Sequence, residues 1–129
     1  ASGFAQATAE SYTSATSGQV GAGGGYTTDG ISCGAVSVLN NGTQPQSTFL
    51  SFAGNNSDGS AATANTINWV GSTITAAYGA IYNSTTVDGT ANRLVVALDF
   101  GGSKTCTNGT FKITFPDPST PSNAILSMA

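Results

Sequence analysis

Two stretches, Thr73-Ile-Thr-Ala-Ala-Tyr-Gly-Ala-Ile-Tyr82 and Leu94-Val-Val-Ala-Leu-Asp-Phe100, decide the fold class of this chain. Both are rich in β-branched, aromatic and small apolar residues, which favour strands over helices. Between them lies Asp88-Gly89, a pair that tolerates the positive φ angles of a tight turn. The two stretches therefore predict an antiparallel hairpin.

The second strand of this hairpin is apolar on both faces. Because side chains alternate along a strand, one face carries Leu94, Val96, Leu98 and Phe100. The other face carries Val95 and Ala97, which are also apolar. A strand with two apolar faces is typical of the middle of a sheet, so we expect this strand to be central and covered on both sides.

Working outward from the hairpin, turn signals recur about every ten residues. Further short strands are predicted at 4–12, 31–39, 47–52, 66–70, 110–115 and 123–128. Gly71-Ser72, Gly101-Gly102 and Asn108-Gly109 are interpreted as the turns that end strands. Eight or nine short strands and no convincing helix indicate an all-β fold, an antiparallel β-sandwich of jelly-roll or immunoglobulin-like type.

The length of 129 residues fits one domain. Residues 1–29 are rich in Gly, Ser and Thr, and we interpret them as a flexible N-terminal segment with a possible short strand. Within it, the glycine-rich stretch 18–25 predicts a loop. The β-sandwich domain is expected to span residues 30–129.

The predicted core of that domain consists of large apolar and aromatic side chains on alternating strand positions. They are Trp69, Ile74, Tyr78, Leu94, Val96, Leu98, Phe100, Phe111, Ile113 and Phe115. Three aromatic residues, Trp69, Tyr78 and Tyr82, could instead stack on sugar rings. A carbohydrate-binding adhesin module is therefore an alternative function for the chain. Core or interface packing is the interpretation we favour.

Charged residues make up only 7% of the chain, against roughly 25% in an average soluble domain. The net charge is −3, with Arg93, Lys104 and Lys112 as the only basic residues. Three scattered cations cannot form the basic patch that nucleic acid requires, and no apolar run is long enough to cross a membrane. Such a charge-poor surface is easiest to understand if neighbouring proteins cover much of it.

The residues that most catalytic sites need are scarce. The chain has no histidine, which removes the Ser-His-Asp and Cys-His arrangements. Of the six carboxylates, Asp29, Asp58 and Asp88 each precede a glycine, where aspartate favours turns. Asp99 lies at a strand end, where its carboxylate could form a salt bridge or belong to a calcium-binding loop. We therefore expect no enzymatic activity, no cofactor and no metal site.

Two cysteines, Cys33 and Cys106, leave two alternatives. They could be separate thiols that behave as small apolar residues, or they could form one disulfide, depending on the redox compartment.

The chain from Gly24 onward resembles a family of small virion structural proteins of tailed bacteriophages. The resemblance is carried, in order, by Gly25-Tyr-Thr-Thr-Asp-Gly-Ile31, Trp69, Ser72-Thr-Ile-Thr-Ala76, Tyr78-Gly-Ala-Ile-Tyr-Asn-Ser84, Ala91-Asn-Arg-Leu-Val-Val-Ala-Leu-Asp-Phe-Gly101, Thr107-Asn-Gly-Thr-Phe-Lys-Ile-Thr-Phe115 and Ala124-Ile-Leu126.

This resemblance implies a capsid decoration (cement) protein on the outer surface of the virion head, or else a tail or fibre component. The implied partners are the major capsid protein and further copies of the chain, most simply in a homotrimer on a local three-fold axis. The N-terminal residues before Gly24 depart from the family's pattern.

Overall fold

The computed structural model of the chain describes residues 19–40, 48–86, 88–116 and 127–128. Within these ranges the chain is all-β and contains no helix, so the predicted fold class is confirmed at that level. The strands are β1 (Val36–Asn40), β2 (Thr48–Phe52), β3 (Asn55–Asn56), β4 (Thr66–Asn83), β5 (Arg93–Thr114) and β6 (Ser127–Met128). They form two three-stranded sheets, in the orders β1-β2-β6 and β3-β4-β5.

The predicted hairpin is confirmed and is longer than predicted. β4 has 18 residues and β5 has 22, and the two pair antiparallel from Thr66 opposite Thr114 to Asn83 opposite Arg93. In the connection, Asp88 and Gly89 have φ angles of 50° and 77°, which is the left-handed geometry that a tight turn requires.

Three predicted turns are bulges inside these two strands. Gly71, Gly101 and Asn108 have φ angles of 62°, 68° and 48°, and each lies at a register shift of the β4–β5 ladder. A bulge accommodates an extra residue in this conformation and lets the pairing continue. The strands predicted separately at 66–70 and 73–82, and at 94–100 and 110–115, are therefore corrected to two continuous strands.

The prediction that the 94–100 strand is central is wrong for the described residues. β4 occupies the middle of its sheet, and β5 pairs only with β4. Val95 is the extra residue of a further bulge, because Ile81 pairs with Val96 and Tyr82 with Leu94. This bulge breaks the expected alternation and leaves Val95 47% exposed.

The smaller sheet begins later than the sequence predicted. β1 starts at Val36, and residues 31–35, which were predicted as strand, are not strand. The ladder nevertheless continues past β1 and β2, since Ala53 N–H donates to Ala35 O at 2.8 Å and Gly54 N–H to Cys33 O at 3.1 Å. The strand predicted at 4–12 and residues 123–126 of the last predicted strand lie outside the described residues. Ser127 and Met128 of that last strand are described and pair with β2.

Two clusters of buried side chains form the core. The first consists of Phe52, Ile67 and Phe115, and the second of Ile74, Ala76 and Phe111. In the first cluster Phe52 and Phe115 meet edge to face, with ring centroids 5.4 Å apart. Because Phe52 belongs to β2 and Phe115 follows β5, this contact joins the two sheets.

Asn65 provides the polar connection at the same place. Its side-chain Oδ1 accepts a hydrogen bond from Phe52 N–H at 2.8 Å, and its backbone N–H donates to Phe52 O at 2.9 Å. Phe115 N–H then donates to Asn65 O at 2.8 Å. The residue is buried, with a φ angle of 57°, a conformation that asparagine tolerates better than most residues. Asn65 therefore holds the end of β2 to the end of β5.

We expect Asn65→Ala to lower the free energy of unfolding by about 2–4 kcal/mol, because it leaves the buried Phe52 N–H without an acceptor and forces alanine into left-handed φ. Asn65→Gly loses the same acceptor without the strain, and it should cost roughly 1 kcal/mol less than alanine. Urea unfolding followed by Trp69 fluorescence measures both values. An alanine variant as stable as the wild type would contradict the role assigned to Asn65.

Candidate functional site

An apolar cavity of about 790 Å³ lies between the β4–β5 hairpin and the residues that precede β1. Its volume is within the range of small-molecule sites, roughly 300–1,000 Å³. The lining is mainly aromatic and aliphatic, with a few polar groups such as Gln19, Asp29 and Asn83.

A row of aromatic rings forms one wall of this cavity. Tyr26 lies 5.9 Å from Trp69, Trp69 lies 6.2 Å from Phe111, and Phe111 lies 6.0 Å from Phe100, measured between ring centroids. All three pairs are tilted or edge to face, which is the favourable arrangement of aromatic quadrupoles. The Nε1–H of Trp69 is buried and has no hydrogen-bond partner. This wall supports the hairpin mainly through packing.

The glycine-rich segment closes one end of the wall. Gly23 and Tyr26 exchange backbone hydrogen bonds of 3.1 and 3.0 Å, and Thr73 N–H donates to Gly24 O at 2.6 Å. Gly25 has a φ angle of 81°, and a Cβ there would lie 2.9 Å from the Cα of Ser72. The predicted loop is thus a tight turn packed on the β4 bulge, and only glycine allows so close an approach.

The Tyr82 hydroxyl joins this segment to the hairpin at a second point, and the Tyr26 hydroxyl accepts a hydrogen bond within the segment. Tyr82 Oη donates to Asp29 O at 2.9 Å, and Gln19 Nε2 donates to Tyr26 Oη at 3.2 Å. Burial and the nearby Asp29 carboxylate raise the pKa of Tyr82. The Tyr82 phenol therefore stays protonated near neutral pH and remains a donor.

The residues predicted as core divide into two groups. Ile74, Phe111 and Phe115 are buried. The half-buried ones are Trp69, Tyr78, Leu94, Val96, Leu98, Phe100 and Ile113. Five of the seven half-buried residues lie on β5, which has a neighbour on one side only among the described strands. Trp69 packs between Tyr26 and Phe111, an environment that suits structural packing better than stacking on a sugar.

Both cysteines are free thiols in the structure, so the disulfide alternative is not formed. They belong to different parts of the core: Cys33 packs against the cluster around Phe52, and Cys106 against the cluster around Ile74. Burial raises the pKa of the Cys33 thiol. The Sγ of Cys106 lies 3.2 Å from Ser72 Oγ and donates to Ser72 O at 3.3 Å.

Asp29, Asp58 and Asp88 lie in local turns, as predicted. Asp29 and Asp88 have positive φ angles, and Asp58 Oδ1 accepts both the N–H and the hydroxyl of Ser60. Asp99 Oδ1 accepts Gly101 N–H at 2.8 Å and so closes the bulge in β5. Within the described ranges, no three His, Cys, Asp or Glu side chains are grouped so that they could hold a metal ion.

The basic residues are concentrated on one strand. Arg93, Lys104 and Lys112 are the only cations of the chain, and all three are exposed on β5. The same strand carries one of the six carboxylates, Asp99. The remainder of the chain therefore has five carboxylates and no cation.

Sequence reasoning missed Asn65, the packed glycine turn and the core members Phe52, Ile67 and Ala76. Ile67 lies two positions before Trp69, and this period-two spacing could have identified it. Asn65 carries no comparable signal, because an asparagine next to threonine in a polar stretch is typical of any loop.

Comparison with known proteins identifies no relative: no family model, no curated protein and no solved structure matches this chain. Among the described residues, no helix long and apolar enough to span a membrane is found.

The free thiols give a direct prediction. Adding a reductant should leave the melting temperature unchanged, whereas breaking a structural disulfide in a domain of this size would lower it by roughly 6 °C or more. Differential scanning calorimetry with and without dithiothreitol measures this. Titration of the unfolded, unreduced protein with a thiol reagent should find two thiols, and finding none would show that Cys33 and Cys106 are bonded.

Proposed function

We propose that this protein is a non-enzymatic structural component of a tailed-bacteriophage particle. Its place is the outer surface of the head, as a decoration (cement) protein that binds the major capsid protein and stabilises the shell. The β4–β5 hairpin is the observation that carries this proposal. It contains most of the segments on which the family resemblance rests, and its strand β5 presents many exposed residues, most of them uncharged.

The surface of β5 suits binding by area. Its exposed residues include threonines at positions 105, 107, 110 and 114, together with Gly101, Gly102, Ser103 and Asn108. Hydroxyl and backbone groups of this kind form many modest contacts without the desolvation cost of charged groups. A cement protein needs such contacts, because it holds neighbouring shell subunits together by interface area and shape.

The two sheets are proposed to pack as a β-sandwich of jelly-roll or immunoglobulin-like type. The contact between Phe52 and Phe115 and the hydrogen bonds of Asn65 support this packing, because they join one sheet to the other. Aromatic residues that fill such a core are not needed for ligand recognition.

Copies of the chain are proposed to form a homotrimer on the local three-fold axes of the shell. Symmetric positions on a shell favour symmetric oligomers, and one trimer contacts three shell subunits at once. A tail or fibre component, the alternative within the same class, would be present in few copies. Densitometry of purified virions separates the two, because a cement protein should number in the hundreds per particle.

Heating is the functional test. Heads from which the protein is missing should release DNA at a lower temperature than complete heads, because the clamping contacts are lost. Adding back the purified wild-type chain should restore the release temperature, and the same amount of an unrelated protein of similar size should not. Equal release temperatures with and without the protein would contradict the cement function.

A further inference from the structure

The two outer strands of the sheet β3-β4-β5 lie next to opposite charges. At one end, β5 carries every cation of the chain, including the exposed Lys104 and Lys112. At the other end, β3 leads into the turn at residues 57–60, which contains Asp58. No cation can oppose this carboxylate from its own end, because none exists outside β5.

The Asp58 turn is built to keep its carboxylate in place. Ser60 donates its hydroxyl to Asp58 Oδ1 at 2.7 Å and its backbone N–H at 3.0 Å. Asn56 Nδ2 in turn donates to Ser60 Oγ and to Ala61 O, both at 2.9 Å. The bonds from Ser60 hold the pKa of the Asp58 carboxyl below its usual range, so this end of the sheet stays negative near neutral pH.

Lys112 lies at one end of a row of paired residues, and Asp58 lies two residues beyond the other end. Asn56 on β3 pairs with Asn68 on β4, and Asn68 pairs with Lys112 on β5. Asp58 follows Asn56 by two residues. If the sheet of one molecule is continued by the sheet of the next in this same register, Lys112 of the first lies beside Asn56 of the second, two residues from Asp58.

We propose that copies of this chain associate head to tail, with the basic β5 edge of one copy against the acidic Asp58 turn of the next. A second copy of the chain is thus the occupant of the β5 edge. A contact of β5 with itself is disfavoured, because the strand carries three cations against one carboxylate and two copies of it would repel each other. Head-to-tail contacts close into rings when the rotation permits.

This inference rests on the self-association in the proposed function and assigns its surface. The unpaired backbone groups of a sheet edge supply most of the attraction in such contacts. The charges supply the direction and speed of association, since exposed ion pairs contribute little affinity. Lys112 and Asp58 therefore act mainly by determining which edge meets which.

Sedimentation velocity of the purified full-length chain tests the contact. We expect concentration-dependent oligomers that weaken as salt is raised, because exposed charges are screened. Lys112→Glu and Asp58→Lys should each weaken association by about tenfold, and the double variant should recover it because the pair is restored with reversed sign. Asp58→Asn keeps the turn acceptor and removes only the charge, so its weaker association would exclude misfolding as the cause. Asp88→Lys, at the far turn of the hairpin, should associate like the wild type.

Three results would overturn the proposal: a wild-type chain that stays monomeric at every concentration, single variants that associate normally, or a double variant that fails to recover. These outcomes are separate from the proposed function. A monomeric chain that still raises the DNA-release temperature of heads would refute only the head-to-tail contact. A chain that forms rings but leaves that temperature unchanged would refute only the cement function.

Discussion

Within the described part of the chain, Asn65 forms hydrogen bonds that hold the end of β2 to the end of β5 and so join the two sheets. Its side chain and backbone satisfy buried groups of Phe52, and its carbonyl accepts the N–H of Phe115. Phe52 and Phe115 also form the aromatic contact that joins the sheets, and Asn65 lies beside it. Because a buried N–H without an acceptor is costly, this short segment fixes where β2 ends and where β4 begins. The long hairpin is positioned from that point.

Period-two alternation and the Asp88-Gly89 turn were sufficient to predict the hairpin and the all-β class. The same rules failed at Gly71, Gly101 and Asn108, because glycine and asparagine with positive φ serve a bulge as well as a turn. Only the partner strand decides between the two, and that information is not local. The central position expected for residues 94–100 was wrong for the same reason, since the bulge at Val95 and the place of β5 at the edge of the described sheet both depend on tertiary structure.

The candidate surfaces were predictable only in outline. Composition indicated a charge-poor surface suited to contact with other proteins, and the described strands support that expectation through the exposed threonines of β5. The segregation of charge could not be predicted, because it required knowing that all three cations share one strand and that this strand ends the sheet. The aromatic row beside the cavity was likewise hidden, since Tyr26 reaches Trp69 only after the glycine turn packs on β4.

In the proposed function, the chain binds the phage head through many weak surface contacts and has no catalytic role. Electron cryomicroscopy of the intact virion, at a resolution that places individual strands, tests this most directly. For a cement protein, we expect density for the β4–β5 hairpin at regular positions over the outer surface of the head, in contact with the major capsid protein. A head that is bare of this chain, with its density confined to the tail or absent from the particle, would contradict the account.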